Sequence, residues 1–148
     1  MKTILFLLLA LSGSEAFAVE GLVSIVSPYG VKETTDRLEK TVTKAGFTIA
    51  VRWDHGKGAA KVGLKLLPEE ILIFGKPKAG TLFMQSSPTA GIDLPMKYLV
   101  WEDAQGKVHV AWNDPAWIAK RHGITDRAKL VAKMQGVLRM LAEKAVAP

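Results

Sequence analysis

The chain contains no cysteine. That absence removes a thiolate nucleophile, a zinc–thiolate centre, an iron–sulfur cluster and covalently attached c-type haem. It also removes disulfides, so packing alone must hold the fold, and it removes the cysteine that lipid attachment after leader cleavage requires. Beyond residue 11 no apolar run is long enough to span a bilayer. Neither an internal repeat nor a long linker divides the 148 residues, which is the length of one domain. What is present is globular in balance: 49% hydrophobic, 23% charged, 13 Gly and 7 Pro. That composition excludes collagen-like and low-complexity chains. The net charge of +6 is modest and spread along the sequence, which argues against nucleic acid as a partner.

The first residues read as an address. Met1-Lys2-Thr3 is a short positive start, Ile4 to Leu11 is an apolar run, and Ala16-Phe17-Ala18 places small residues where a signal peptidase cuts. The run would extend about 12 Å as a helix, far short of a hydrocarbon core of about 30 Å. The expectation is a signal peptide over 1–18, no transmembrane anchor, and an exported chain, periplasmic or secreted, from Val19 to Pro148. Cleavage takes one cation (Lys2) and one anion (Glu15), so the net charge is unchanged.

Patterning predicts a first strand over 22–27, ended by Pro28 and Gly30. Val31, Thr35, Leu38, Val42 and Ala45 fall on one helical face, with Gly46 just beyond its end. Alternation of Phe47, Ile49, Val51 and Trp53 predicts a second strand. Residues 54–63, with three glycines, read as a flexible or weakly helical connection. Ile71 to Phe74 is apolar on both faces, as a central strand should be. A short helix over 81–85 and a turn-rich stretch over 86–95 follow. Residues 98–102 and 108–112 form the clearest hairpin. Asp114 and Pro115 start a helix that runs to Gly123. A last helix from about Thr125 carries an apolar stripe from Leu130 to Leu141. Its basic residues read as a solvated face. The expected fold is α+β: a single two-layer domain with a mixed or antiparallel sheet of about five strands and helices mainly on one face.

Five stretches resemble the family catalogued as domain of unknown function 302. They are residues 53–60 (WDHGKGAA), 73–81 (IFGKPKAGT), 89–95 (TAGIDLP), 100–103 (VWED), and 113–117 (NDPAW) together with Arg121-His122. They occur in the family's order between about 22 and 123. The resemblance implies a small α+β domain, often exported in bacteria and commonly dimeric. It implies no activity and supplies no catalytic residues. The helix from about 125 lies beyond the resembling part and reads as a decoration.

His55 is the singular candidate for chemistry. It follows a strand, has Asp54 beside it, and opens a glycine-rich loop, a place where imidazole serves as base, metal ligand or hydrogen-bond donor. The competing reading is a histidine that pins its own loop. Lys57 and Lys61 can add an anion-binding pocket, although the loop lacks the Gly-Lys-Ser/Thr end of a nucleotide-binding motif. His109 reads as a partly exposed strand residue, and His122 as a cap at a helix C-terminus. No close His–His or His–carboxylate spacing nominates a metal. A haem or copper site using His55 with Met84 or Met96 is a lesser reading, with the methionines filling core gaps instead. Ser86-Ser87 lacks the context of a hydrolase nucleophile. The four tryptophans suit core burial better than a pocket or dimer contact.

The expectation is therefore a homodimeric binding or sensing module for a small or anionic ligand. Its site combines His55, Asp54, Lys57, Lys61, Trp101 and Glu102, without catalytic or metal residues and without a nominated cofactor. The alternatives are a small hydrolase- or isomerase-like enzyme with His55 as general base and Asp54 or Glu102 orienting it, and a haem- or metal-binding periplasmic protein.

Overall fold

The computed structural model describes residues 19–148; the expected leader, 1–18, lies outside the described residues. Strand β1 (Leu22–Ser27) leads to helix α1 (Val31–Lys44), strand β2 (Thr48–Asp54) and helix α2 (His55–Lys61). Strand β3 (Glu69–Gly75) precedes helix α3 (Pro77–Ser86) and a 3-10 turn (Pro88–Ile92). Strands β4 (Met96–Glu102) and β5 (Val108–Asn113) form the hairpin, and helices α4 (Pro115–Arg121) and α5 (Ala128–Val146) close the chain.

The five strands make one sheet in the order β1-β5-β4-β3-β2, and every pairing is antiparallel. The fold is thus α+β with an open antiparallel sheet. Alternation sets its inner face: Leu72 and Phe74 of β3, Tyr98 and Val100 of β4, and Val110 and Trp112 of β5 are buried. Against them pack Leu38 and Val42 of α1 and Leu141, Ala142 and Ala145 of α5. Four rings run across the core, from Phe47 to Phe74 (5.6 Å), to Tyr98 (4.9 Å), to Trp112 (5.6 Å). Tyr98 is fully buried, and its hydroxyl donates to the Leu138 carbonyl of α5 at 2.6 Å. Burial pushes the Tyr98 phenol well above its ordinary pKa.

Local chemistry explains where elements start and stop. Gly46 takes φ +76°, so it ends α1 in a conformation that a side chain disfavours. Asp114 caps α4 by accepting the Ala116 N–H at 2.9 Å, with Pro115 in the first turn. Three expectations change. The connection 54–63 resolves to a helix over 55–61, because Asp54 accepts the Lys57 N–H at 2.7 Å and nucleates a turn that Gly56 and Gly58 would otherwise disfavour. The helix expected over 81–85 begins at Pro77, a residue suited to a first turn. The last helix begins at Ala128, without a side-chain cap, and Thr125 stays outside it.

That last helix is no decoration. Leu138, Leu141, Ala142 and Ala145 are buried, so the second half of α5 completes the core that α1 and the sheet begin.

Candidate functional site

A hollow of about 1000 Å³ lies between α3 and the first half of α5. Its floor is the start of β2, at Phe47, Thr48 and Ala50, and the β3–α3 junction at Gly75. The register of β2 against β3 shifts between Ile49 and Val51, and Ala50, in that irregularity, lines the floor. One wall is α3 with Leu82 and Met84; a second is Leu94-Pro95-Met96, where the chain enters β4.

The third wall follows from the sequence of α5. Leu130, Met134 and Val137 recur at helical spacing and continue the stripe that Leu141 and Ala145 bury in the core. In this first half the stripe is only partly buried against the core, and it borders the hollow. The end of helix α3 is tied across to the residues just before α5. There Ser86 Oγ accepts from Arg127 Nε at 2.8 Å and donates to Asp126 Oδ2 at 3.0 Å. The lining is almost entirely carbon apart from Lys76, Lys78 and Lys133 at its margin. Lys76 Nζ sits 4.5 Å from the Phe47 ring centre, a cation–π contact. Such a concave, apolar, open space is the form that small-molecule sites take.

None of the six residues nominated from sequence lines this hollow or the smaller one of about 410 Å³ at the start of α5. They share one end of the sheet. Asp54 ends β2 and His55 follows it, and Trp101 and Glu102 end β4 with β3 between them. The two groups are thus two strand spacings, roughly 10 Å, apart. His55 is half-buried in the first turn of α2. Asp54 directs one oxygen at the Lys57 N–H and the other at Lys57 Nζ, 3.2 Å away. The Lys57 N–H, followed by the Lys57 ammonium, holds the Asp54 carboxyl below its ordinary pKa. Asp54 is therefore a helix cap rather than a carboxylate that orients His55. Lys61 is exposed at the end of α2. The Trp101 ring stacks on His109 at 4.8 Å.

Of the other two histidines, His109 is the partly exposed strand residue expected, and His122 departs from expectation. His122 does not simply cap α4. Its Nε2 lies 2.6 Å from Asp93 Oδ2, its Nδ1 lies 2.8 Å from Thr89 Oγ1, and Arg121 reaches the second Asp93 oxygen at 3.2 Å. A hydroxyl, an imidazole and a carboxylate stand in line, an arrangement able to pass a proton. Thr89 is exposed and lines neither hollow, so the chain of bonds pins the 3-10 turn to α4 without a place for substrate. His109 Nε2 meets Asp103 Oδ2 at 2.7 Å, and this bond, ahead of the Lys107 N–H, lowers the Asp103 pKa. Both His–carboxylate pairs join residues that periodicity does not link. Their one trace in sequence is that Asp93 and His122 fall in two of the family-like stretches. Among the described residues, no three His, Asp or Glu side chains are grouped to hold a metal ion.

Comparison with known proteins places these elements in a family. The chain spans about two-fifths of the length of the curated relatives it matches. It is 46% identical over 104 residues to a protein of Brucella suis named fluoride-specific ion channel FluC 1, covering 70% of this chain and 41% of that one. The identity is the same with the Brucella melitensis protein named fluoride-specific ion channel FluC 2, of which 38% is covered. Among solved structures, an uncharacterized conserved protein DUF302 from Bacillus stearothermophilus superposes with a TM-score of 0.75 at 19% identity. That match covers 86% of this chain and 99% of that one, and it bears on fold alone. The family match runs over residues 23–141, so it takes in most of α5 along with the motifs before it. The chain belongs to the family described as Domain of unknown function DUF302.

Proposed function

We propose that this protein is an exported ligand-binding module, periplasmic or secreted, that holds its ligand in the hollow between α3 and α5. The observation that carries the reading is the apolar stripe of α5, which leaves the core at Leu138 and continues along the hollow through Val137, Met134 and Leu130. Apolar surface left open in this way is what ligand grooves present. The exported location rests on the leader-like residues 1–18.

The test is a titration of the mature chain with Nile red, an uncharged dye that brightens in apolar surroundings. Saturable brightening at one dye per chain, lost when Met134→Arg places a charge in the hollow, is the expected result. Equal brightening in the Met134→Arg variant overturns the assignment. His55→Ala is the companion variant: unchanged binding agrees with the hollow, and lost binding returns the site to the His55 end of the sheet.

The module also pairs with a second copy in this reading. The sheet face turned away from α1 and α5 exposes Val26, Val51 and Trp53, at 52%, 43% and 56%. Five strands about 4.8 Å apart and six or seven residues long make a face of roughly 500 Å². Two such faces together bury on the order of 1,000 Å², the lower bound of a specific interface. Light scattering that gives a monomer mass at micromolar concentration would exclude this pairing.

The Brucella relatives bear on the setting. Proteins named as fluoride-specific ion channels carry a segment resembling this chain over about two-fifths of their length. The proposal is that the module works beside a membrane protein, as a sensing part rather than the conducting one. No helix among the described residues is long and apolar enough to cross a membrane. Co-purification with a channel encoded in the same genome tests this setting, and its failure under crosslinking removes it.

A further inference from the structure

We infer that the ligand of the hollow is a single-chain anionic amphiphile, with its hydrocarbon tail along α5 and a carboxylate or phosphate head among Lys76, Lys78 and Lys133. The inference rests on the hollow being the ligand site and adds the class of molecule it takes.

Charge complementarity selects the head. Three lysines border the hollow, and no Asp or Glu is part of its lining. Among the described residues none of the three lysines lies within ion-pair distance of a carboxylate, whereas Lys32, Lys57 and Lys120 are each paired. A lysine can lay its methylene stem on apolar lining and present its ammonium at the mouth. Lys76, an exposed residue, holds its Nζ over the Phe47 ring of the lining. The lysines come from two sides: Lys76 and Lys78 from the start of α3, Lys133 from α5. An anion at the mouth therefore meets positive charge from both walls, and a cationic head meets repulsion from both.

The shape of the lining selects the tail. From Leu130 to Met140 the α5 wall is about 15 Å long. Leu130, Met134, Val137 and Met140 follow one another along it, faced by Leu82, Met84 and Leu94. Methionines are unbranched and adapt to a flexible chain better than to one rigid outline. An extended alkyl chain matches a long apolar trough with few polar groups, whereas a compact polar solute would leave its own hydrogen bonds unmet there.

Calorimetric titration of the mature protein with dodecanoate, dodecyl phosphate, dodecanol and dodecyltrimethylammonium, each below its micelle concentration, tests the inference. The two anions are expected to bind more tightly than the alcohol, and the cation most weakly. The tighter of the two anions identifies the head. Each methylene added between octanoate and dodecanoate is expected to tighten binding about fourfold. In the K76Q/K78Q/K133Q variant the anions lose about tenfold at low salt and dodecanol is unchanged. Circular dichroism checks that this variant keeps its fold, which substitutions of three exposed residues should allow. Dodecanol equal to the anions, or anion binding untouched by the triple substitution, overturns the inference while the hollow remains a ligand site. Failure of every amphiphile and of Nile red overturns both.

Discussion

Asp93 and His122, 29 residues apart in sequence, are joined by a 2.6 Å hydrogen bond between side chains that are 10% and 6% exposed. The bond carries the entry to β4 onto the end of α4, two segments that contribute nothing to each other through backbone pairing. Asp93→Ala leaves the imidazole and Arg121 without their acceptor. Loss of a charged hydrogen-bonding partner in so dry a place is expected to cost about 2–3 kcal/mol. Urea unfolding of Asp93→Ala, His122→Ala and the double variant measures the coupling. Strictly additive losses would show that the pair does not hold the two segments together.

The Tyr98 hydroxyl is the polar fastening of α5 to the sheet, and it reaches the Leu138 carbonyl at 2.6 Å in a fully buried setting. Tyr98→Phe keeps the ring stack with Phe74 and the edge contact with Trp112. It removes only the donor, so the cost is expected to be about 1–2 kcal/mol with an unchanged denaturant slope. An unchanged unfolding midpoint would mean that the Leu138 carbonyl finds another donor.

Much of this architecture is written in local patterns. The hairpin, the inner-face alternation of β3 to β5 and the apolar stripes of α1 and α5 are short-range signals, and each appears where periodicity places it; in β2 the irregularity after Ile49 turns Val51 and Trp53, expected on the buried face, outward. The errors arise where tertiary geometry decides. Helix α2, expected as a flexible or weakly helical connection, is an exception: a local carboxylate caps seven residues that hold two glycines, which propensity alone disfavours. His122 reads from its neighbours as an exposed cap, yet its partner is brought from residue 93 by folding. The hollow is the clearest case. The stripe of α5 runs on in sequence from Leu130 to Ala145, and only folding decides that Leu138 to Ala145 are buried while Leu130, Met134 and Val137 stay partly open at the hollow. Asp54 and His55 attract notice because they are chemically distinctive, whereas Leu130, Met134 and Val137 look like ordinary core.

Gly21 is held against the face of Trp117. It has φ +77°, and a β-carbon built on it would lie 2.2 Å from the indole Cγ. Its carbonyl also accepts the Asp114 N–H at 2.7 Å, so the backbone cannot retreat without breaking that bond. Gly21→Ala therefore combines backbone strain with a steric overlap, and a loss of about 2–3 kcal/mol is expected. Trp117 fluorescence supplies a local readout within a chain of four tryptophans when the variant is compared in a Trp117→Phe background. Wild-type stability in Gly21→Ala would contradict this close approach.

Arg52 gathers the carboxylates of α1 and β3, with Asp36 at 2.6 Å, Glu39 at 3.1 Å and Glu70 at 2.7 Å. Burial acts to lower its pKa, but hydrogen bonds to Asp36, Glu70 and Glu39 outweigh it and the guanidinium is held more firmly charged than usual. Arg52→Met leaves the Glu70 side chain, 9% exposed, without its cation, and the expected cost near neutrality is about 2 kcal/mol. A second consequence concerns acid. Asp36 is lowered from its ordinary pKa of 3.8, first by its hydrogen bond from Lys32 and then by that from Arg52. A carboxylate with a depressed folded-state pKa contributes stability that is complete above the unfolded value and is lost as pH falls through the folded one. In the wild-type chain that loss lies below about pH 4. Arg52→Met removes one of the two causes, so the folded value rises toward the unfolded one and stability falls less steeply over the same window. Lys32 keeps part of the effect, which leaves the slope shallower but not flat. Asp36 is half exposed, and the contrast is expected to shrink as salt is added. Urea titrations from pH 5 to pH 2 at low and high salt measure both slopes, and parallel acid limbs for the two proteins would show that Arg52 does not hold Asp36 ionised.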